Sequence, residues 1–336
     1  MTDEVPTYTD APKRAEFDGP DTPALERPED DVVPEEDRPK LPLTLPRPTS
    51  PRVIVVANQK GGVGKTTTAV NMGVGLAMSG LRVLIVDVDP QGNATTALGI
   101  DHDLGTPGTY EVLIDEEPIS PMARMSPETP GLEVLPATID LSGADLQLAN
   151  VKHRERRLKT ALDEYLKTHD IDYVFLDCPP SLGLLTINAL VAADEVLLPI
   201  QCEYYALEGV TQLMRTVQAV KSSFNSKLQL ATILMTMYDG RTRLSREVVD
   251  EVRGQFANEM LETRIPRSVR VSEAPSYGRS VLSYEPNSAG AVAYREAAAE
   301  FAKLHSATGR TASTKIASSK RVRRASTPTV QSVKEA

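Results

Sequence analysis

Val53-Ile54-Val55-Val56-Ala57-Asn58-Gln59-Lys60-Gly61-Gly62-Val63-Gly64-Lys65-Thr66-Thr67 is the stretch that decides the fold. Four consecutive β-branched residues, apolar on both alternations, read as a strand buried on both faces. A glycine-rich turn carrying two lysines follows. Thr66–Met78 then reads as a helix ending at Ser79-Gly80, where a left-handed C-cap belongs. Glycines let successive backbone N–H groups converge on an anion without a Cβ in the way, and a helix N-terminus adds partial positive charge. In that context Lys65 is spaced to reach the β and γ phosphates of a nucleotide, and the Thr66 hydroxyl to bind Mg²⁺.

Outward from this loop, apolar runs alternate with helical patterns. Val83–Val86, Tyr173–Leu176, Val196–Leu198 and Leu230–Met237 repeat the buried-strand signature. Helical stretches fall at His153–Lys167, Leu184–Ala193, Leu207–Ser222, Leu244–Phe256 and Ala289–Leu304. Ser142, with Asp145 three residues on, reads as a capping box. The alternation predicts an α/β fold: a doubly wound, mostly parallel sheet with helices on both faces and ligands at the carboxyl ends of its strands.

Composition sets the borders. Residues 1–50 are rich in Pro, Asp and Glu without an apolar period and are expected to be disordered. Residues 307–336 are Ser/Thr-rich and basic, an expected disordered tail, which leaves one domain over 51–306. The net charge of −9 gathers in the N-terminal acids, so it says little about any one face of the domain. No run approaches the roughly 18 apolar residues of a membrane span, and no apolar secretory h-region opens the chain. Cys178 and Cys202 form no CxxC pair, and His102, His153, His169 and His305 have no metal-ligand spacing. A reducing, cytoplasmic setting is the expectation.

Two apolar strands end in acids: Val86-Asp87-Val88-Asp89-Pro90-Gln91-Gly92-Asn93 and Leu176-Asp177-Cys178-Pro179-Pro180-Ser181. A carboxylate at a strand's C-terminal end beside a phosphate loop sits where Mg²⁺ and an attacking water belong. A single Asp there serves equally well as a cap on the next helix or turn.

The loop departs from the general G-x-x-x-x-G-K-[ST] pattern: its first glycine position is Gln59, and a second lysine, Lys60, precedes the glycines. Lys60-Gly61-Gly62-Val63-Gly64-Lys65-Thr66-Thr67 resembles the deviant Walker A motif of the ParA/MinD class of P-loop NTPases. VDVDPQGN and FLDCPPS resemble that family's next two ATPase motifs. Pro199–Gly209 and Ile265–Ser276 resemble its later blocks, and favour the chromosomal, Soj-like ParA branch. The resemblance covers about residues 52–304. It implies an ATPase with ATP and Mg²⁺ as cofactors and slow intrinsic turnover. Lys60 would cross a dimer interface to the partner's nucleotide, Asp89 would activate the water, Asp177 would support Mg²⁺ with help from Asp87, and Pro266 would lie near the adenine. Arg241 and Arg270 fall where family members carry DNA-contacting arginines; Arg243, Arg246, Arg267 and Arg279 are nearby. Contact there would be to phosphates, without sequence preference.

The resemblance thus implies a homodimer on ATP binding, nonspecific double-stranded DNA and a ParB-type centromere-binding protein as partners, with nucleoid association and no membrane. The alternatives are a MinD-like or cargo-positioning ATPase for the division site, flagella or a protein compartment, a non-hydrolysing DNA-binding scaffold, and a metal-cluster carrier. The tail after Gly309 lacks an apolar stripe, no N-K-x-D guanine motif occurs, and no helix-turn-helix precedes the domain.

Overall fold

The computed structural model describes residues 31–39, 42, 44–204 and 206–306. Strands β1 (Arg52–Val56), β2 (Val83–Asp87), β3 (Arg124–Met125), β4 (Leu132–Leu135), β5 (Tyr173–Asp177), β6 (Glu195–Gln201), β7 (Gln229–Tyr238) and β8 (Met260–Pro266) form one sheet in the order β3-β4-β2-β5-β1-β6-β7-β8. Every pairing is parallel except β3 with β4. The sheet is doubly wound, with β1 and its phosphate loop near the centre.

The helices are α1 (Lys65–Met78), α2 (Asn93–Ala97), α3 (Thr109–Ile114), α4 (Ala144–Leu148), α5 (Arg157–Thr168) and α6 (Leu184–Ala192). Then come α7 (Ala206–Ser223), α8 (Arg243–Phe256), α9 (Val269–Glu273), α10 (Val281–Tyr284) and α11 (Ala289–His305). Alternation along β1 divides them between two cores. Val53 and Val55 pack with residues of α3–α8, whereas Ile54 and Val56 pack with α1, α2, α10 and α11. On the second face Phe301 of α11 meets Tyr173 and Phe175, with ring centroids 5.7 and 6.1 Å away. At the amino ends of the strands buried Glu195 takes an ion pair from Arg52 and a 2.7 Å contact from His305, which fixes the end of α11.

All five apolar runs form strands and all six helical stretches form helices, with ends shifted by a few residues. Gly80 has φ +85° and donates to the Ala77 carbonyl at 3.0 Å, as a left-handed helix end requires. Ser142 and Asp145 do not form a capping box. Ser142 sits inside a 3-10 turn, Ile139–Gly143, that runs straight into α4, and its hydroxyl turns back to the Ile139 carbonyl. Asp145 accepts instead from the Leu185 N–H at 3.3 Å. Strands β3, β4 and β8 carry no buried-strand signature: the first two are short, and β8 lies at the sheet edge with exposed Glu262 in its middle.

Within the stretch 1–50, described residues from 31 on make specific contacts with the domain. The described residues of this stretch attach beside the start of α11 and the end of α1. Val33 N–H donates to the Asn287 carbonyl at 2.9 Å, Leu45 N–H donates to the Ser79 carbonyl at 3.1 Å, and buried Leu45 joins the second core. Farther on, Arg47 bridges Asp170 and Asp172, 2.7 Å from each. Sparse anchors at intervals hold this arm, and a composition window averages them away. Residues 1–30 and the tail 307–336 lie outside the described residues.

Candidate nucleotide site

The loop after β1 is braced from three sides. Asn58 donates to the Pro199 carbonyl on β6 at 2.8 Å, and its side-chain oxygen accepts the Lys60 N–H at 3.0 Å. Thr236 on β7 donates to the Val63 carbonyl at 2.9 Å. Gly62 and Gly64 take φ of +72° and +87°, which an L side chain rarely adopts. Gly64 caps α1, so the first N–H groups of that helix point into the loop without intrahelical partners. A Cβ built on Gly61 or Gly62 would meet nothing within 4 Å, so the inner face of the loop is open.

A cleft of about 360 Å³ lies there, lined by Gly61, Gly62, Gly64, Lys65, Thr66 and Thr67 of the loop, with Asp89, Gln91, Asn93, Pro180 and Met237 around it. Lys65 is buried, and its ammonium rests on the Lys60 carbonyl at 3.2 Å. Burial holds its pKa below the usual lysine value, against the pull of Asp177 and Asp89. Lys60 does not line the cleft; its ammonium turns outward to an ion pair with Glu203 just past the end of β6.

The three strand-end carboxylates have separate environments. Asp87 and Asp177 are fully buried and face each other across the β2–β5 register. Asp87 has filled acceptors: Oδ1 takes the Asp89 N–H at 3.1 Å, and Oδ2 takes the Thr95 N–H at 2.9 Å and hydroxyl at 2.7 Å. Burial nevertheless pushes its pKa up to about 6. Through these bonds it fastens α2. Asp177 has no hydrogen-bond partner of good geometry on either oxygen. Burial and neighbouring Asp87 push its pKa up, while the nearby Thr66 hydroxyl and Lys65 oppose that. An orphaned buried carboxylate beside a Thr hydroxyl suits a hard cation. Thr66 and Asp177 thus fit Mg²⁺, which takes few protein ligands and keeps most of its waters. Asp89 is anchored through Oδ1, which accepts the Gln91 N–H at 3.0 Å, and it lines the cleft.

Pro266 closes β8 beside Tyr238, outside the residues that line the phosphate cleft. Arg241 and Arg270 follow the neighbouring strands β7 and β8, and the Arg267 N–H donates to the Tyr238 carbonyl at 3.1 Å to tie those ends together. Arg241 is 90% exposed and grips Asp239 with two 2.9 Å bonds, which pulls that carboxyl down to about 2. Arg270 is 14% exposed and pairs with Glu273 at 2.8 Å. Sequence reasoning missed Asn58, Thr95, Thr236 and Glu203 as supports. Thr236 leaves a trace, a polar position in the apolar run LATILMTM.

A family model described as an AAA domain matches residues 51–230. The chromosome partitioning protein ParA of Caulobacter vibrioides is 49% identical over 249 residues, 74% of this chain and 93% of that protein. The sporulation initiation inhibitor protein Soj of Bacillus subtilis is 48% identical over 251 residues, covering 75% and 98%. Among solved structures, one named cobyrinic acid a,c-diamide synthase from Mycobacterium smegmatis, with bound ATP analog and magnesium, superposes with a TM-score of 0.65 at 41% identity. It covers 75% of this chain and 95% of its own.

Proposed function

The chain belongs to the ParA/Soj family of chromosome-partitioning P-loop ATPases, and from that premise we propose a dimerising switch. It closes on ATP, binds double-stranded DNA without sequence preference, and hydrolyses ATP under a ParB-type partner to segregate or position chromosomal origins. ATP and Mg²⁺ are its cofactors. Such a switch acts on the nucleoid, and no helix among the described residues is long and apolar enough to cross a membrane.

The observation that carries this reading is the divergence of the two loop lysines. Lys65 is buried and lines its own cleft, whereas Lys60 points away from it. A lysine held outside its own site is available to a second copy's phosphates once Glu203 releases it. Within one subunit, the loop N–H groups, Gly61 to Thr67 and Lys65 hold the phosphates. Thr66 and Asp177 would hold Mg²⁺, which would supply charge neutralisation at the phosphates. Asp87 fixes α2 through Thr95, and the Asp89 segment directly through the Asp89 N–H. Asp89 aligns a water for attack on the γ-phosphate. Pro266 borders the base, and Arg241 and Arg270 meet DNA phosphates.

The amide chemistry in the name of the Mycobacterium smegmatis structure is a poorer fit. Glutamine-dependent amide transfer uses a reactive thiolate, whereas Cys178 and Cys202 are both buried, and burial raises both thiol pKa values. The test is fluorescence anisotropy of an arbitrary DNA duplex, with and without ATP–Mg²⁺. We expect ATP-dependent, salt-sensitive binding that Lys60→Ala abolishes. ATP-driven dimers that ignore DNA would sink the reading.

A further inference from the structure

We propose that the acidic N-terminal segment, residues 1–30, docks on the arginine face around Ser268–Arg270 and competes there with DNA phosphates. The proposal rests on the reading of that face as the DNA contact, and names what occupies it when DNA is absent.

The anchor is visible. Asp31 Oδ2 accepts the Ser268 hydroxyl at 2.8 Å, and Ser268 is the residue immediately before α9 and two before Arg270. Val32 bridges Ser288 in antiparallel fashion, and Val33 N–H donates to the Asn287 carbonyl at 2.9 Å. Arg38 then closes onto the Val33 carbonyl at 2.9 Å. The chain is thus pinned as it reaches the arginine face. Asp31 is fixed beside Ser268, and it is the point at which residues 1–30 join the described chain.

Charge points the same way. Residues 1–30 carry nine Asp/Glu against three Lys/Arg. Beside Ser268, Arg267 is exposed and makes no ion pair among the described residues. Arg241 and Arg270 already hold carboxylates, Asp239 and Glu273, so the chemistry of the face accepts them. A tethered polyanion acts at the high effective concentration of an intramolecular ligand and needs little intrinsic affinity to compete. Elsewhere the arm serves as a clasp beside α11 and α1; here Asp31 brings it to the loop that carries Arg267 and Arg270.

The test uses the full chain. A variant with Glu26→Gln, Glu29→Gln, Asp30→Asn and Asp31→Asn is compared with a control of equal charge change on the opposite half of the sheet: Asp115→Asn, Glu117→Gln, Asp163→Asn and Glu164→Gln. With ATP–Mg²⁺ at low salt, the first variant should bind an arbitrary duplex roughly tenfold more tightly than the parent, with the gap closing at high salt. Equal tightening by the control would reduce the effect to net charge and overturn the proposal. A second readout needs no DNA: Glu16→Cys with Val269→Cys, joined by a short bismaleimide. Val269 is 62% exposed, and both native cysteines are buried. Cross-linking should be efficient at low salt and suppressed by DNA or high salt; its absence at low salt overturns the docking. Efficient cross-linking in a protein that binds no DNA would sink the DNA reading while keeping the docked segment.

Discussion

The nucleotide end and the arginine end of this domain treat charge in opposite ways. At the first, Asp87 and Asp177 sit fully buried side by side, and burial raises the pKa of both. At the second, Arg241 lies 90% exposed and pulls Asp239 down to about 2. A buried carboxylate without partners stores unfavourable free energy that a cation can relieve, so it marks a site made for one ligand. Exposed ion pairs are weak and exchange partners readily. The difference teaches that one end is preorganised by burial, whereas the other is adaptable at exposed Arg241, with Arg270 beside it 14% exposed and paired to Glu273.

Four experiments break or sharpen that contrast. Lys65→Ala removes the buried cation from the preorganised end. It should weaken ATP binding by about 100-fold or more, since charge-assisted bonds in such a setting are each worth roughly 1.5–3 kcal/mol. Titration calorimetry showing a change under tenfold would mean that the end is not preorganised around Lys65. Asp89→Ala should leave nucleotide binding intact and lower kcat by roughly 100-fold, trapping the ATP-bound dimer. Normal phosphate release from that variant would remove Asp89 from the water's position.

Arg270→Glu acts at the adaptable end. DNA affinity should fall roughly tenfold, and the slope of log affinity against log salt should flatten by about one for each phosphate that residue 270 no longer neutralises. An unchanged slope would leave the Arg270–Glu273 pair as merely structural. The smallest effect is expected from pH. Asp87 binds its proton more tightly folded than unfolded, because its pKa is raised to about 6. The stability that protonation confers is therefore present below the unfolded value, near 4, and is lost as pH climbs through about 6. The melting temperature of the nucleotide-free protein, relative to Asp87→Asn, should fall by a few degrees across that window. A flat difference would show that the three hydrogen bonds to Asp87 offset its burial.

Legibility followed the range of the interactions. Strands apolar on both faces, such as Tyr173–Leu176, announce themselves because each residue needs burial regardless of its neighbours. The edge strand Met260–Pro266 does not, since Glu262, Thr263 and Arg264 interrupt the pattern where solvent permits it. The arm 31–50 is illegible for the same reason: Pro and acid content describe its solvent side, whereas Asp31, Val33, Leu45 and Arg47 hold it to the domain.

The sequence by itself determined the phosphate loop and its lysines, because a strand, a glycine turn and a helix start are local events governed by backbone sterics. It also determined that acids would stand at the ends of β2 and β5. Only the tertiary structure decided their division of labour. Asp87 meets Thr95, eight residues on, because α2 folds back over it, and so its acceptors are filled. Asp177 lies beside Asp87 on the neighbouring strand and near Thr66, 111 positions earlier in the chain, and no donor reaches its oxygens with good geometry. Whether a buried carboxylate is a strut or a cation ligand depends on which donors the fold brings within about 3 Å, and no local pattern encodes that distance.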